Sequence, residues 1–221
     1  LIEDVLNLSV LDSGKMTFNN TVFNLSEMFG DLAIQMKDKV KLPGREFIYE
    51  VPLQEVQVKA DRERLTQIVT NLITNAAKFT RQGYIKMGYA LKDSGVEIYV
   101  KDTGIGIAPD KVGHIFDRFV KLNSFAQGTG LGLAICRMII EKIGGEIGAT
   151  SEVGKGSTFF FTIPYKEHSD DRIAFSEVSE TKYISHTIKR VQKIKKILVA
   201  EDVDSNFVLI KNMIGKDYTL L

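Results

Sequence analysis

The chain has 221 residues, 44% of them hydrophobic and 26% charged, which suits one large domain, or one domain with a piece of another, around a sizeable core. With 29 Lys and Arg against 28 Asp and Glu, a net charge of +1 gives no global electrostatic case for binding nucleic acid or a membrane surface. The single cysteine, Cys136, excludes an internal disulfide framework and suits a reducing compartment, and no apolar run approaches the roughly 20 residues of a membrane helix.

In chain order, Leu1, Ile2, Val5, Leu6 and Leu8 make a helical stripe over residues 1–12 that stops at Asp12-Ser13-Gly14-Lys15. Three turns are marginal alone, so this reads as the end of a longer helix. With neither an initiator Met nor a charged leader, the chain reads as a fragment without a signal peptide. Asn24-Leu25-Ser26-Glu27 has capping-box spacing, and the apolar steps that follow predict a helix over 25–40. Residues 46–51 and 56–60 are short strand candidates. A second helix is predicted over 62–79, then strands over 84–91 and 96–102 joined through Asp93-Ser94-Gly95. Residues 103–129 are punctuated by glycine, and only 110–120 has helical spacing; so long an irregular stretch marks a functional loop. A third helix is predicted over 131–143, ending at Gly144-Gly145, and residues 146–152 and 157–163 read as a hairpin. Residues 166–196 are polar without sustained periodicity and read as a linker. Its basic tail lacks the interleaved aromatics of a nucleic-acid surface. Ile197-Leu198-Val199-Ala200 suits a buried parallel strand, a helical pattern follows from Phe207, and Tyr218 starts another strand.

Four groups of residues carry chemistry. Asn71, Asn75 and Lys78 lie at i, i+4 and i+7, on one stripe flanking the apolar face of their helix. Amide oxygens suit Mg²⁺, and an ammonium suits phosphate. Taken alone, asparagine at a helix border is more often simply solvated. Asp102-Thr103-Gly104-Ile105-Gly106 delivers a carboxylate from a strand into a turn with close backbone approach, and a carboxylate accepts from an exocyclic amine. A plain strand-end turn explains it equally well. Gly128-Thr129-Gly130-Leu131-Gly132-Leu133 opens a helix, where bare backbone N–H groups bind anions. It is neither a Walker A pattern nor a Rossmann fingerprint. Phe116-Asp117-Arg118-Phe119, in the long loop, could clamp a lid, with Arg118 reaching a terminal phosphate. A small satellite core is the alternative.

The order of the four resembles the ATP-binding catalytic domain of two-component sensor histidine kinases, in the superfamily shared with gyrase, Hsp90 and MutL. Asn71 to Thr80 resembles the N box, Asp102 to Pro109 the G1 box, Phe116 to Phe119 the F box, and Gly128 to Leu133 the G2 box. Gly154-Lys155-Gly156-Ser157-Thr158-Phe159 resembles the closing hairpin. The resemblance covers about residues 1–165. It implies an α/β (α+β) sandwich of the Bergerat type: a mixed, mainly antiparallel sheet covered on one face by three helices. It implies catalytic roles for Asn71, Asn75, Lys78 and Arg118, with Mg²⁺ on Asn75 and Asn71. It implies an ATP site formed by Asn71, Asn75, Lys78, Phe79, Asp102, Gly104, Gly106, Ile107, Gly128, Thr129, Gly130, Leu131, Gly132, Leu133 and Thr158. Residues 1–15 resemble the end of the dimerisation and phosphoacceptor helix and 16–165 the catalytic domain. Residues 166–196 would be a linker and 197–221 the truncated, partial βαβ start of a receiver domain, with Glu201 and Asp202 as its acidic pair.

The implied activity is transfer of the γ-phosphoryl of Mg-ATP to a histidine upstream, then relay to a receiver aspartate. Implied partners are the upstream phosphoacceptor helix, a second copy in a homodimer, and a receiver domain or response regulator. No direct nucleic-acid partner is implied. The implied location is cytoplasmic, with membrane anchoring, in an inner membrane, only through segments outside the chain. His114, His168 and His186 are the only histidines, and none sits in the acceptor context or before the N box. The alternatives are a gyrase- or MutL-like ATPase, which would want a Glu where Asn71 stands, and a non-catalytic nucleotide-sensing scaffold.

Overall fold

The computed structural model describes residues 16–52, 55–92, 95–121 and 129–165, and the backbone of 183–187, 195–197 and 218–220. Two compact units divide between Ile188 and Lys189.

In the first unit, β1 (Thr21–Asn24) pairs antiparallel with β3 (Gln57–Ala60) as a small separate ribbon. Helix α1 (Leu25–Lys39) starts where the Asn24 side chain accepts the N–H groups of Ser26 and Glu27, at 2.9 and 3.4 Å. That satisfies donors the first turn cannot pair internally. Helix α2 (Arg62–Phe79) is capped by Asp61, which accepts from Arg64 N–H at 3.0 Å and from Asn19 N–H at 2.9 Å. The 3.6-residue spacing of Leu65, Ile68, Val69, Leu72, Ile73 and Ala76 puts all six in the core. Helix α3 (Pro109–Val112) is one turn, and α4 (Gly132–Lys142) is the third long helix.

The main sheet runs β6 (Ile147–Glu152), β7 (Gly156–Ile163), β5 (Gly95–Asp102), β4 (Gly83–Lys92), β2 (Arg45–Pro52). All neighbours are antiparallel except β4 and β2. A sixth strand, β8 (Tyr183–Thr187), pairs antiparallel along β2. It lies inside the stretch expected to be linker, and its ladder covers backbone donors that β2 would otherwise leave open. The mixed, mainly antiparallel sheet with three long helices agrees with the expected fold class. Alternate residues of the central strands, among them Ile85, Met87, Tyr89, Ile98, Val100, Phe159 and Phe161, are buried in one core with α1, α2 and α4. Tyr89 meets Phe29 edge-on at 5.2 Å between centroids, and its hydroxyl shares a 2.6 Å hydrogen bond with Ser26 Oγ.

Two expectations need correction. The strand β1 lies where no element was expected. The helical spacing over 110–120 yields only α3: Gly113 follows it, and the chain turns through 113–119 while still burying Ile115 and Phe116. Arg45, at the start of β2, ties two helix ends together. Its guanidinium donates to Val40 O at 2.7 Å, Ala77 O at 2.6 Å and Thr80 O at 2.7 Å. These are carbonyls that helix ends leave unpaired.

In the second unit, β9 (Lys195–Ile197) and β10 (Tyr218–Leu220) pair in parallel. Leu198, Val199, Ala200, Glu201, Asp202 and the expected helix from Phe207 lie outside the described residues, as do residues 1–15.

Candidate functional site

The C-terminal end of β5 carries a buried carboxylate. Asp102 is 4% exposed, and its Oδ1 accepts the Gly104 N–H at 2.8 Å and the Thr80 hydroxyl at 3.4 Å. The Ser157 backbone N–H also donates to this carboxylate. Burial raises the carboxyl above its ordinary range, and these three bonds pull the other way. The turn beyond it needs glycine. A side chain at Gly104 would meet Phe79 O at 2.5 Å. Gly106 has φ +69°, and a Cβ there would overlap the Glu152 carbonyl. Ile107 is buried, and its N–H donates to Ser151 Oγ at 2.8 Å, which in turn shares a 2.9 Å bond with Ser157 Oγ.

Helix α2 ends beside this carboxylate, where its C-cap Thr80 donates to Asp102. Phe79 is half-buried, and its carbonyl accepts the Ile105 N–H at 3.3 Å. Lys78 is exposed, with Nζ 5.4 Å from the Phe79 ring centroid. Asn75, one turn back, is half-buried, and its amide makes no hydrogen bond to any described residue. Asn71, a further turn back, is engaged differently. Its Nδ2 donates to Cys136 Sγ of α4 at 3.2 Å, and its Oδ1 lies 2.6 Å from where Gly132 would carry a Cβ.

The G2 residues lead into α4. Thr129 Oγ1 accepts the Leu131 N–H at 3.2 Å, Leu131 is buried, and Gly132 and Leu133 are half-buried. Gly130 (φ +76°) packs on Phe119, whose N–H donates to Gly130 O at 3.0 Å. This contact closes the two described ends of the long loop. Gly128 lies outside the described residues. Phe116 is buried edge-on against Phe159 at 6.3 Å, so the F box is anchored from one side, while Phe119 is 66% exposed. Arg118 is exposed, near Met138 Sδ at 3.8 Å.

One expected residue does not join the group. Inward positions of β7 are Ser157, Phe159, Phe161 and Ile163, so Thr158 lies on the opposite face of the sheet, paired with Lys101 and Thr150. Ser157 stands beside Asp102 instead. The unbroken run Phe159-Phe160-Phe161 hides the phase, but the register from Ile163 back to Ser157 is available in the sequence. Cys136 and Gly132 as partners of Asn71 were not foreseeable, because the contact joins helices 65 positions apart.

A groove of about 640 Å³ opens between α1, α2 and α4, lined in part by Asp31, Arg62, Thr70, Asn71, Gly132 and Cys136. Asn71 and Gly132 border it, but Asp102, Asn75 and Lys78 do not. Among the described residues, no three His, Cys, Asp or Glu converge as a metal cage. The donor set on α2 is amide oxygen. That fits an ion which takes few protein ligands and completes its shell with water and phosphate oxygen.

Comparison with known proteins fits this geometry. Residues 60–167 match the family described as histidine kinase-, DNA gyrase B- and HSP90-like ATPase. The sensor protein SrrB of Staphylococcus aureus is 36% identical over 172 residues, covering 76% of this chain and 29% of SrrB. The crystal structure of full-length ShkA in complex with AMPPNP is 25% identical with a TM-score of 0.67, covering 100% of this chain and 44% of ShkA. The nucleotide-free catalytic domain of histidine kinase ThkA is 34% identical with a TM-score of 0.59, covering 67% of this chain and 96% of that domain. ThkA is also known in complex with the response regulator TrrA; there the identity is 27%, the TM-score 0.58, and the coverage 74% of this chain and 48% of that one. The chain thus spans less than a third of SrrB and less than half of ShkA. Among the described residues no helix is long and apolar enough to cross a membrane. Spanning nearly the whole ThkA catalytic domain at this identity, the chain belongs to the sensor histidine kinases and carries their ATP-binding catalytic domain.

Proposed function

We propose that this domain holds Mg-ATP between α2, the G1 turn and the start of α4, and donates its γ-phosphoryl to a histidine on a segment outside the described residues. The observation that carries this reading is Asp102. It is a buried carboxylate already bonded by the Gly104 N–H, the Thr80 hydroxyl and the Ser157 N–H, at the end of a strand beside the helix that carries Asn71 and Asn75. An acceptor-only group there takes the adenine amine and rejects guanine, which presents a carbonyl at that position. Phe79 and Ile107 supply apolar walls. Gly104 and Gly106 let the backbone come close, and Ser157 takes the pocket position expected of Thr158. Asn75 is the direct ligand for Mg²⁺, with Asn71 beside it. Bound there, Mg²⁺ supplies neutralisation of phosphate charge. Lys78, Arg118, Thr129 and the N–H groups around Gly130, Leu131, Gly132 and Leu133 hold phosphate oxygens, with Gly128 completing the run. Positioning and charge neutralisation suffice for this transfer, because a neutral imidazole is already a nucleophile.

The parent is proposed as a homodimeric hybrid kinase acting in the cytoplasm. In that organisation residues 1–15 end the phosphoacceptor helix, 16–165 form the catalytic domain and 166–196 connect to a receiver. The parallel pairing of β9 with β10 supports a receiver start at 197–221, since parallel neighbours need a connection of about a dozen residues or more. The ThkA–TrrA complex supports a response regulator as partner. A gyrase- or MutL-like hydrolase is disfavoured: Asn71 cannot act as a base, and its amide nitrogen is committed to Cys136.

The test uses radiolabelled γ-ATP. The chain alone stays unlabelled, and adding the parent's upstream helical hairpin gives an acid-labile, alkali-stable label on that hairpin. Failure to label a folded hairpin, or a stable acid-labile label on the chain itself, contradicts the proposal.

A further inference from the structure

The buried thiol of Cys136 has no place in the reaction above, yet it is the partner of an N-box amide. Asn71 reaches from α2 to α4 and meets two residues one turn apart. Nδ2 donates to Cys136 Sγ at 3.2 Å, while Oδ1 occupies the space beside Gly132 that any larger residue would fill, at 2.6 Å from its ideal Cβ. The amide is therefore held through its nitrogen before any ligand arrives, with its oxygen close against the backbone of Gly132. Cys136 is 2% exposed, so water does not compete for the sulfur.

We propose that Cys136 is a positioning residue for nucleotide binding, fixing the Asn71 amide so that its oxygen faces the phosphate end of the site. The inference rests on the nucleotide reading of the N box and goes beyond it by naming what orients Asn71. An asparagine at a helix border otherwise samples several rotamers and loses that freedom on binding. A bond to α4 removes the loss in advance. It also couples the N-box helix to the helix that follows the G2 phosphate loop. The sulfur is a weak acceptor, so it orients the amide through its nitrogen and leaves the oxygen lone pairs available.

The experiment compares Cys136→Ala, Cys136→Ser and Asn71→Ala, and the double variants with Asn71→Ala, all in the full chain. Mg-ATP affinity is read by calorimetry. The Asn71 side-chain amide resonance is read by NMR without nucleotide. Cys136→Ala is expected to shift that resonance and to weaken Mg-ATP binding by about two- to tenfold, the worth of one intramolecular hydrogen bond. Cys136→Ser restores most of the affinity, and neither change adds to Asn71→Ala. An unmoved Asn71 resonance overturns the proposal. So does unchanged affinity in Cys136→Ala, or a loss that persists in the Asn71→Ala background, which makes Cys136 only a packing residue. If Asn71→Ala itself binds Mg-ATP like the parent chain, the N-box reading fails together with the proposal; if only the Cys136 effects are missing, the reading stands and the proposal alone falls.

Discussion

Replacing Asp102 by Asn changes one atom type and almost no volume. In the native chain Oδ1 already serves two donors, Gly104 N–H at 2.8 Å and the Thr80 hydroxyl at 3.4 Å. An asparagine must turn its own oxygen to them, so its NH₂ faces the position of the adenine amine and two donors meet. A hydrogen bond to a charged acceptor is worth about 1.5–3 kcal/mol, so ATP affinity should fall about ten- to a hundredfold. The same NH₂ can donate to the guanine carbonyl, so the preference for ATP over GTP should narrow. Folding stability should move the other way. Burial penalises the charged carboxylate, and the amide relieves that cost, so the nucleotide-free variant melts no lower than the native chain. Calorimetric titrations with Mg-ATP and Mg-GTP, beside thermal melts, measure all three. A folded variant whose ATP affinity stays within about twofold of native, or whose ATP-to-GTP ratio is unchanged, refutes the assignment of Asp102 to the base.

Three further outcomes follow from the same geometry. Because burial raises the Asp102 carboxyl above its ordinary 3.8, ATP affinity should begin to fall on acidification at a pH above that value. The fold responds with the opposite sign: protonated Asp102 favours the folded state, fully so below 3.8, and this contribution is lost as pH rises through the higher folded-state value. Affinity titrated against pH should lose this acid limb in Asp102→Asn. Arg45→Ala strips donors from carbonyls at the ends of α1 and α2, and chemical denaturation should show a loss of about 2–4 kcal/mol, with Arg45→Lys intermediate because an ammonium cannot span three acceptors. Gly106→Ala forces a Cβ onto the Glu152 carbonyl and should weaken ATP binding with a stability loss above about 2 kcal/mol. Gly154→Ala, at φ +80° with open space around it, should cost only about 1–2 kcal/mol and leave binding intact.

The helices were legible because each carries its own start signal and period. Asn24 caps α1 as its spacing indicated, and the six buried residues of α2 are the six on its apolar stripe. Strand β1 escaped because four residues cannot establish an alternation, and its reason to be extended is its partner β3. The helical spacing after α3 misleads because Ile115 and Phe116 are apolar for tertiary reasons: both are buried in the core, Phe116 against Phe159 of β7, without a helix to carry them. At the site, the sequence order located Asp102 and the amides, but not their engagement. The resemblance points to Thr158, but a one-residue phase in β7 decides which side chain faces the core, and there it is Ser157. That Asn71 is held by α4 depends on a contact between distant helices that no local pattern encodes.

The most direct test is a crystal structure of the chain with Mg²⁺ and a non-hydrolysable ATP analogue. The account predicts the adenine amine on the Asp102 carboxylate and the ion on Asn75. A nucleotide seated instead in the groove between α1, α2 and α4, or an Asp102 pocket filled by side chains with the analogue excluded, would contradict it.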